Sequence, residues 1–430
     1  MVISARVRFS RRFLSVGAVL AAVVATTVSA QVAAAAPSQV AAATGAHRPR
    51  GWVGSWGASP LVATSATMQV THLANQTVRN IIYTSVGGDR VRIRVSNAFG
   101  DRTVRIGGAS IAVEYFGASV KDLHALTFGG RSAVQIPAGG QVLSDPVAMR
   151  VPPLTDLAVS LYVPTETGPV NSHFLARQDN YLATGNHATD ASATAFSTTV
   201  TAWYLLDAVY VSRSSRSTIV ALGDSITDGD MSQFNANARW PNELARRLVR
   251  ADGPDAPGVM DEGIAGNRVL NDSACLGVDA QKRLDRDVLG QPGVRWVILM
   301  EGINDIGFSA ITNPCTVPNP NVSAAQIIVG YKNIIARVHA AGAKIYGATL
   351  TPWKFSAAWT PAGEAKREAV NRWILTSGAF DAVINFAKVV AEPGDPQLLD
   401  PKYDSGDHIH PNDSGYAAMG QAINLALFAH

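Results

Sequence analysis

Cysteine is almost missing from this chain. Only Cys275 and Cys315 occur among 430 residues, too few for a disulfide-dense scaffold, and their spacing does not resemble a zinc site. An excess of one charge is missing as well: 36 Lys and Arg stand against 33 Asp and Glu, a formal net charge of +3. Residues 1–36 hold four of those arginines and no acid, so without them the charge is 3 − 4 = −1. Nothing here points to a nucleic-acid partner. Disorder is not indicated either, because hydrophobic residues make up 47% and charged residues 16% of the chain, proportions that allow cores to be buried. The apolar stretch from Phe13 to Val28 is too short and wrongly flanked for a membrane span, so stable membrane insertion is not expected.

What that stretch does resemble is an export leader. Arg6, Arg8, Arg11 and Arg12 form a basic head, and Ala30 or Ala36 offers a small-residue cleavage point, which assigns residues 1–36 to a signal peptide and the protein to the outside of the cell. The Arg11-Arg12 pair before Phe13-Leu14 is similar to a twin-arginine signal without its usual spacer, and the general and twin-arginine routes both stay open. In an exported protein an even pair of cysteines favours a Cys275–Cys315 disulfide, closing a loop of roughly 40 residues and stabilising by about 4 kcal/mol in the chain-entropy picture.

Residues 37–50 are rich in Ala, Pro, Ser and Thr without periodicity and read as a flexible lead-in. From residue 51 the texture is that of strands. Val91 to Val95 alternates, as do Leu157, Val159, Leu161 and Val163, and Gly87-Gly88-Asp89 reads as the turn of a hairpin between Val78 to Thr84 and Val91 to Val95. Short runs at Val104 to Ile106, Ile111 to Tyr115, Val134 to Ile136 and Ala208 to Val211 complete the pattern expected of a jelly-roll-type β-sandwich over 51–211. Trp52, Trp56, Trp203 and Tyr204 are core residues on this reading, with sugar stacking as the alternative. A polar linker, 212–217, follows.

Over 218–430 the rhythm changes to strand, helix, strand. Strands are expected at Thr218 to Leu222, Val259 to Ile264, Val294 to Met300, Lys344 to Leu350 and Phe380 to Phe386. Between them lie helical faces marked by Trp240, Leu244 and Leu248, by Ile327, Ile328, Tyr331, Ile334 and Val338, and by Val370, Trp373 and Ile374 after Thr360-Pro361. Tyr416, Met419, Gly420, Ile423 and Leu427 mark a last helix. Alternating strands and helices predict a flavodoxin-like, doubly wound parallel sheet.

In such a sheet the loops at the strand carboxyl ends converge, and these loops carry unusual polar residues. Ser225 follows the first strand, Gly266-Asn267-Arg268 the second, Glu301-Gly302-Ile303-Asn304-Asp305 the third, and Asp407-His408-Ile409-His410 the fifth. That set suits acyl transfer. Ser225 supplies a nucleophile, His410 a base and Asp407 a group to orient it, while the N–H groups of Ser225 and Gly266 and the amide of Asn304 can receive an oxyanion. Asp224 and Asp305 read as braces for their own loops. Asn267 and Arg268 either line the substrate site or hold their loop, and Trp353 is expected to wall it. His408, His410 and Asp407 form an alternative metal-ligand set.

These blocks resemble the four motifs of the GDSL, or SGNH, hydrolase superfamily: Gly223-Asp224-Ser225, Gly266, Gly302-Ile303-Asn304-Asp305 and Asp407-His408-Ile409-His410. The resemblance spans about the last half of the chain, with Ile226 standing where the family name has Leu. It implies the SGNH hydrolase fold, Ser225 as nucleophile, Gly266 and Asn304 as oxyanion donors, His410 as base, Asp407 as its acid, and neither cofactor nor metal. The function expected is a short-chain carboxylesterase acting on a small-molecule or polysaccharide ester, such as an acetylated carbohydrate. A lipase or phospholipase on longer chains is the alternative within enzymes. A carbohydrate-binding surface protein with an inactive hydrolase domain is the alternative outside them.

Overall fold

The apolar run Thr218–Gly223 is buried at every position and becomes an inner strand of a five-stranded parallel sheet. This computed structural model describes residues 51–213 and 217–429; the leader, the lead-in and positions 214–216 of the linker lie outside them. Across the sheet the strands run Gly258–Gly263, Thr218–Gly223, Val294–Met300, Lys344–Ala348 and Ala382–Ile384. In chain order that is 2-1-3-4-5, the flavodoxin-type arrangement. Alternate side chains serve opposite faces, as the pleat requires. Ile219, Ala221 and Ile298 pack with Trp240, Leu244 and Tyr416 of the helices Trp240–Asp252 and Asp413–Ala422. Val220, Leu222 and Val297 pack with Ile327, Tyr331 and Val370 of the helices Ala324–Ala340 and Pro361–Thr376. Helices therefore cover both faces.

Local signals set the helix ends. Ser323 and Gln326 form a reciprocal capping box, Thr360 accepts from Gly363 N before Pro361, and Gly378 takes the left-handed φ of +67° just past the helix. Two ends differ from expectation. The fifth strand shrinks to Ala382–Ile384, because Asn385 caps a short helix Phe386–Val390. The last helix stops at Ala422, because Ile423 turns extended and Asn424 caps a new turn at Leu425–Phe428.

The strands before Ser212 are antiparallel throughout. One large sheet joins Trp52–Gly57, Leu206–Ser212, Gly88–Ser96 and Val147–Val151, with Gln141–Leu143 also on Gly88–Ser96; a second joins Thr198–Val200, Asn180–Thr184, Gln76–Tyr83, Asp156–Val163, Gly108–Phe116 and Ser119–Ala125. Trp203–Tyr204, Asn171–His173 and Leu61–Val62 form a smaller one, and Val104–Ile106 pairs with Val134–Ile136. Facing residues of the two large sheets, among them Val91, Ile93, Leu157 and Val159, share one apolar cluster. The expected hairpin does not form, since Gln76–Tyr83 and Gly88–Ser96 belong to different sheets. The connection is drawn aside instead: Ser85 N and Oγ both donate to the Ser55 carbonyl, at 2.8 Å and 2.7 Å, and Ser55 Oγ donates to the Val86 carbonyl at 2.6 Å. Trp56, Trp203 and Tyr204 are buried, Trp56 and Trp203 edge to face at 4.9 Å, and half-buried Trp52 lies under the Arg92 guanidinium.

Packing does not stop between the antiparallel and parallel parts. The cluster that holds Val53, Val91 and Val209 also holds Ile219 and Trp240. Strand Trp52–Gly57 lies so close to the edge strand Gly258–Gly263 that a Cβ on Gly54 would strike Met260 Sδ, which explains glycine there.

Candidate active site

Ser225 opens a four-residue helix, Ser225–Asp228, directly after strand Thr218–Gly223. Asp224 caps it, its Oδ1 accepting from Ile226 N at 3.1 Å, and Gly229 ends it at φ +84°. The turn is tight because Gly223 has no side chain; a Cβ would strike Thr227 Oγ1 and the Met300 carbonyl. The result is a serine at the carboxyl edge of the sheet, beside the point where strand order reverses.

His410 arrives from far along the chain. Its Nε2 lies 2.8 Å from Ser225 Oγ, and its Nδ1 lies 2.6 Å from Asp407 Oδ2. The other Asp407 oxygen accepts from the backbone of Ile409 at 3.0 Å and His410 at 2.9 Å and from Ser405 Oγ at 3.1 Å, so the carboxylate is fixed independently of the histidine. An Nδ1–H toward the carboxylate leaves Nε2 free to accept the serine proton. The segment does not follow the fifth strand directly; helix Phe386–Val390 and the strands Ala391–Glu392 and Asp395–Leu399 intervene.

The next two strand-end loops are tied to the serine turn and to each other. Ala265 N donates to Asp228 Oδ2 at 2.9 Å, and Asn304 Nδ2 donates to the Asn267 carbonyl at 3.0 Å. Between these ties sits Gly266 at φ +79°, where a Cβ would strike Leu276. Asp305 accepts from Val269 N at 2.7 Å and Leu270 N at 3.0 Å, bracing the loops as expected. Buried Arg283 sits beneath them all. It donates to the carbonyls of Gly223 and Glu262, to Asn267 Oδ1 and to Ser59 Oγ, and faces Glu301 at 3.5 Å. Ser225, His410 and Asp407 thus stand in hydrogen-bond contact at the sheet edge where the loops carrying Gly266 and Asn304 also emerge.

Residues 221–418 match the model of the GDSL-like lipase/acylhydrolase family. The chain carries a GDSL-like lipase/acylhydrolase domain. It is therefore a carboxylic ester hydrolase. A search of curated proteins finds no match. Among solved structures, an acetylxylan esterase from Geobacillus stearothermophilus aligns at 20% identity over 48% of this chain and 92% of its own, with a TM-score of 0.36. Another acetyl xylan esterase aligns at 19% identity over 48% of this chain and 96% of its own, at 0.37. A GDSL-like lipase from Bacteroides thetaiotaomicron aligns at 17% identity over 49% of this chain and 87% of its own, at 0.36.

Charge in the GDSL domain is shaped by burial. Burial opposes a charged His410, but the hydrogen bond to Asp407 and the charges of Asp230, Asp407 and Asp224 outweigh it and raise the imidazole above its ordinary 6.5. Partial burial works against the Asp407 carboxylate too, yet His410 and two backbone N–H groups hold it far below the usual carboxylate range. Asp224 and Asp305 are pushed up to about 7 by burial, and Glu301 to about 8.

Several expected site residues turn out to hold the structure. Trp353 walls no pocket: it is fully buried, its Nε1 donates to Glu364 at 2.8 Å, and it lies against Gly307 and Gly363. Asn267 spends its amide on the Leu276 and Val278 carbonyls and its oxygen on Arg283. Arg268 is buried and donates to the carbonyls of Thr316, Pro318 and Asp272. Both hold the loop. Cys275 and Cys315 form the expected disulfide, joining the segment after the second strand to the one after the third. His408 turns away from His410, because at φ +66° its ring reaches Asp404 at 2.6 Å. Among the described residues no group of three His, Cys, Asp or Glu is placed to hold a metal ion, and no helix is long and apolar enough to cross a membrane.

Sequence reasoning passed over Asp228, Asp230 and Arg283. The two acids stand inside the motif stretch, Asp228 three residues after the serine at helical spacing and Asp230 just past the capping Gly229. Arg283 had no such signal, since nothing local marks an arginine that becomes buried beneath three loops.

Proposed function

We propose that this protein is an exported serine hydrolase that cleaves short-chain carboxylic esters through an acyl-enzyme. The observation that carries the reading is His410 Nε2 at 2.8 Å from Ser225 Oγ, with Asp407 bonded behind it. Ser225 Oγ attacks the ester carbonyl carbon while His410 takes its proton, and Asp407 stabilises the imidazolium. The oxyanion is received by the N–H groups of Ser225 and Gly266 and by the Asn304 amide, each worth about 3 kcal/mol of barrier in comparable sites. Collapse breaks the ester C–O bond, and His410 returns the proton to the departing alcohol. Water, deprotonated by His410, then attacks the acyl carbon and releases the acid. No cofactor enters these steps.

Acetylated carbohydrate is the polymer substrate we infer. The Cys275–Cys315 disulfide supports an oxidising compartment, in keeping with export by way of residues 1–36. A second reading, a lipase on longer chains, draws on exposed apolar side chains beside the reacting groups. Met231 follows Asp230, whose carboxylate is 3.9 Å from His410 Nε2, and Phe355, 63% exposed, lies edge-on to His408.

Hydrolysis of nitrophenyl esters of increasing acyl length, with Ser225→Ala as the blank, tests both readings. Turnover confined to short chains supports the esterase; a long-chain optimum supports the lipase. Replacement of Ser225 is expected to lower kcat about 10⁶-fold, and a variant with near wild-type turnover would remove Ser225 from the mechanism. If no nitrophenyl ester is cleaved, acetate release from acetylated polysaccharide separates a selective deacetylase from a binding protein.

A further inference from the structure

The antiparallel part reaches into the reaction site through one histidine. His173, at the end of strand Asn171–His173, is 2% exposed and stands against the far side of the Ser225–Asp228 turn. Its Nε2 lies 2.9 Å from Asp228 Oδ1 and its Nδ1 lies 3.0 Å from the Ser59 carbonyl oxygen. A carboxylate and a carbonyl both accept, whereas a neutral imidazole has one N–H to give. Only the imidazolium satisfies both partners. The second Asp228 oxygen accepts from Ala265 N at 2.9 Å, and Ala265 immediately precedes Gly266. Burial opposes the charge on His173, but Asp228 and the Ser59 carbonyl outweigh it and raise the ring above 6.5.

We propose that His173 is a positioning residue for hydrolysis: its imidazolium, seated on the Ser59 carbonyl, fixes the Asp228 carboxylate, which holds the Ala265 amide and so places Gly266 against Ser225. The inference rests on reading Ser225 as the reacting group. When the imidazolium is deprotonated, the carboxylate retains the Nε2 proton and the Nδ1 lone pair is left facing the Ser59 carbonyl oxygen; that repulsion unseats the ring, and the Asp228 carboxylate and the loop it holds shift with it. Other charged groups face this ring. Arg239, at the start of helix Trp240–Asp252, donates to the Asp228 carbonyl and disfavours the imidazolium. Asp261, on strand Gly258–Gly263, lies 3.9 Å from Arg239 and is pushed up to about 7 by burial. Its ionisation adds negative charge near His173 and helps the ring keep its proton as pH rises. The Trp203 ring centroid lies 5.5 Å away and Phe174 stacks at 6.3 Å, while His173, Asp228, Arg239 and Asp261 line a small cavity together.

The test is the pH dependence of kcat and KM for nitrophenyl acetate with wild type, His173→Gln and Asp228→Asn, using Ser225→Ala as the blank. Wild type should lose kcat on the alkaline side. His173→Gln should lower kcat by about 10- to 100-fold, keep KM within about threefold, and abolish that alkaline limb while leaving the acid limb of His410 in place. Asp228→Asn should move the alkaline limb to lower pH, because the imidazolium loses its anion. A His173→Gln enzyme with wild-type kcat and an unchanged alkaline limb overturns the inference alone, as does a wild type without such a limb. Should circular dichroism show that His173→Gln does not fold, Asp228→Asn decides, and an unmoved limb again overturns it. Absence of Ser225-dependent turnover in wild type would overturn the Ser225 reading and this inference with it.

Discussion

Two histidine–carboxylate pairs flank the short helix Ser225–Asp228, and they differ in what faces the second ring nitrogen. On one side His410 meets Asp407 through Nδ1 and the Ser225 hydroxyl through Nε2. On the other His173 meets Asp228 through Nε2 and the Ser59 carbonyl through Nδ1. A hydroxyl can donate, so it suits a neutral ring able to take a proton. A carbonyl only accepts, so it suits a ring that is already charged. The same two residue types therefore support a reactive pair and a static one, and one neighbouring atom makes the difference. Exposure follows the roles: the Asp407 side chain is 35% exposed and that of Asp228 4%.

The comparison breaks most visibly at the reactive pair. Asp407→Asn keeps the shape but cannot hold the tautomer that leaves Nε2 free, and kcat should fall about 10⁴-fold. A loss no greater than that of Asp228→Asn, measured side by side on nitrophenyl acetate, would erase the distinction between the pairs. A smaller effect is expected from Asp230→Asn. The Asp230 charge helps raise His410, so its removal should shift the acid limb of kcat/KM to lower pH without abolishing turnover. An acid limb that stays in place would show that the Asp230 charge does not act on the base.

The smallest effect per group is on stability. His410 and His173 have folded values raised above 6.5, so each contributes stability that is complete at low pH and is lost as pH rises through the raised value. Asp224, Asp261, Asp305 and Glu301 act with the same sign, because burial raises them to about 7 or 8 and the folded form binds their protons more tightly. Asp407 acts oppositely, and its contribution is lost only as pH falls below the ordinary carboxylate range of 3.8. Thermal unfolding should give a Tm that is highest in mildly acidic buffer and declines toward pH 9. A Tm rising over that range would contradict the buried assignments.

Much of the parallel half was legible because its signals are local. Val294–Met300 is one apolar run bounded by polar residues, and the serine, glycine, asparagine and histidine blocks sit at strand ends, where a parallel sheet must bring them together. The antiparallel half gave up its strands but not their partners. Gln76–Tyr83 and Gly88–Ser96 look like a hairpin in sequence, yet Ser85 and Val86 between them bond to Ser55 of strand Trp52–Gly57 and the chain passes to a second sheet. Period-two alternation says which face of a strand is buried, and it is silent on which strand lies beside it. Trp353 was misplaced for a related reason: its loop opens toward the site, but a glycine from each of two helices, Gly307 and Gly363, makes room for the indole underneath.

By itself the sequence determined the doubly wound sheet and which polar blocks lie at its strand ends, because each depends on spacing along a few neighbouring residues. The tertiary structure alone decided that Arg283 joins three loops, that Asn267 and Arg268 hold a loop, and that His173 of the antiparallel part stands behind the serine turn. Those contacts join residues far apart in the chain, 55 positions in the case of His173 and Asp228. Their hydrogen-bonding roles depend on which acceptor or donor burial places opposite them, and no local pattern of residues encodes that choice.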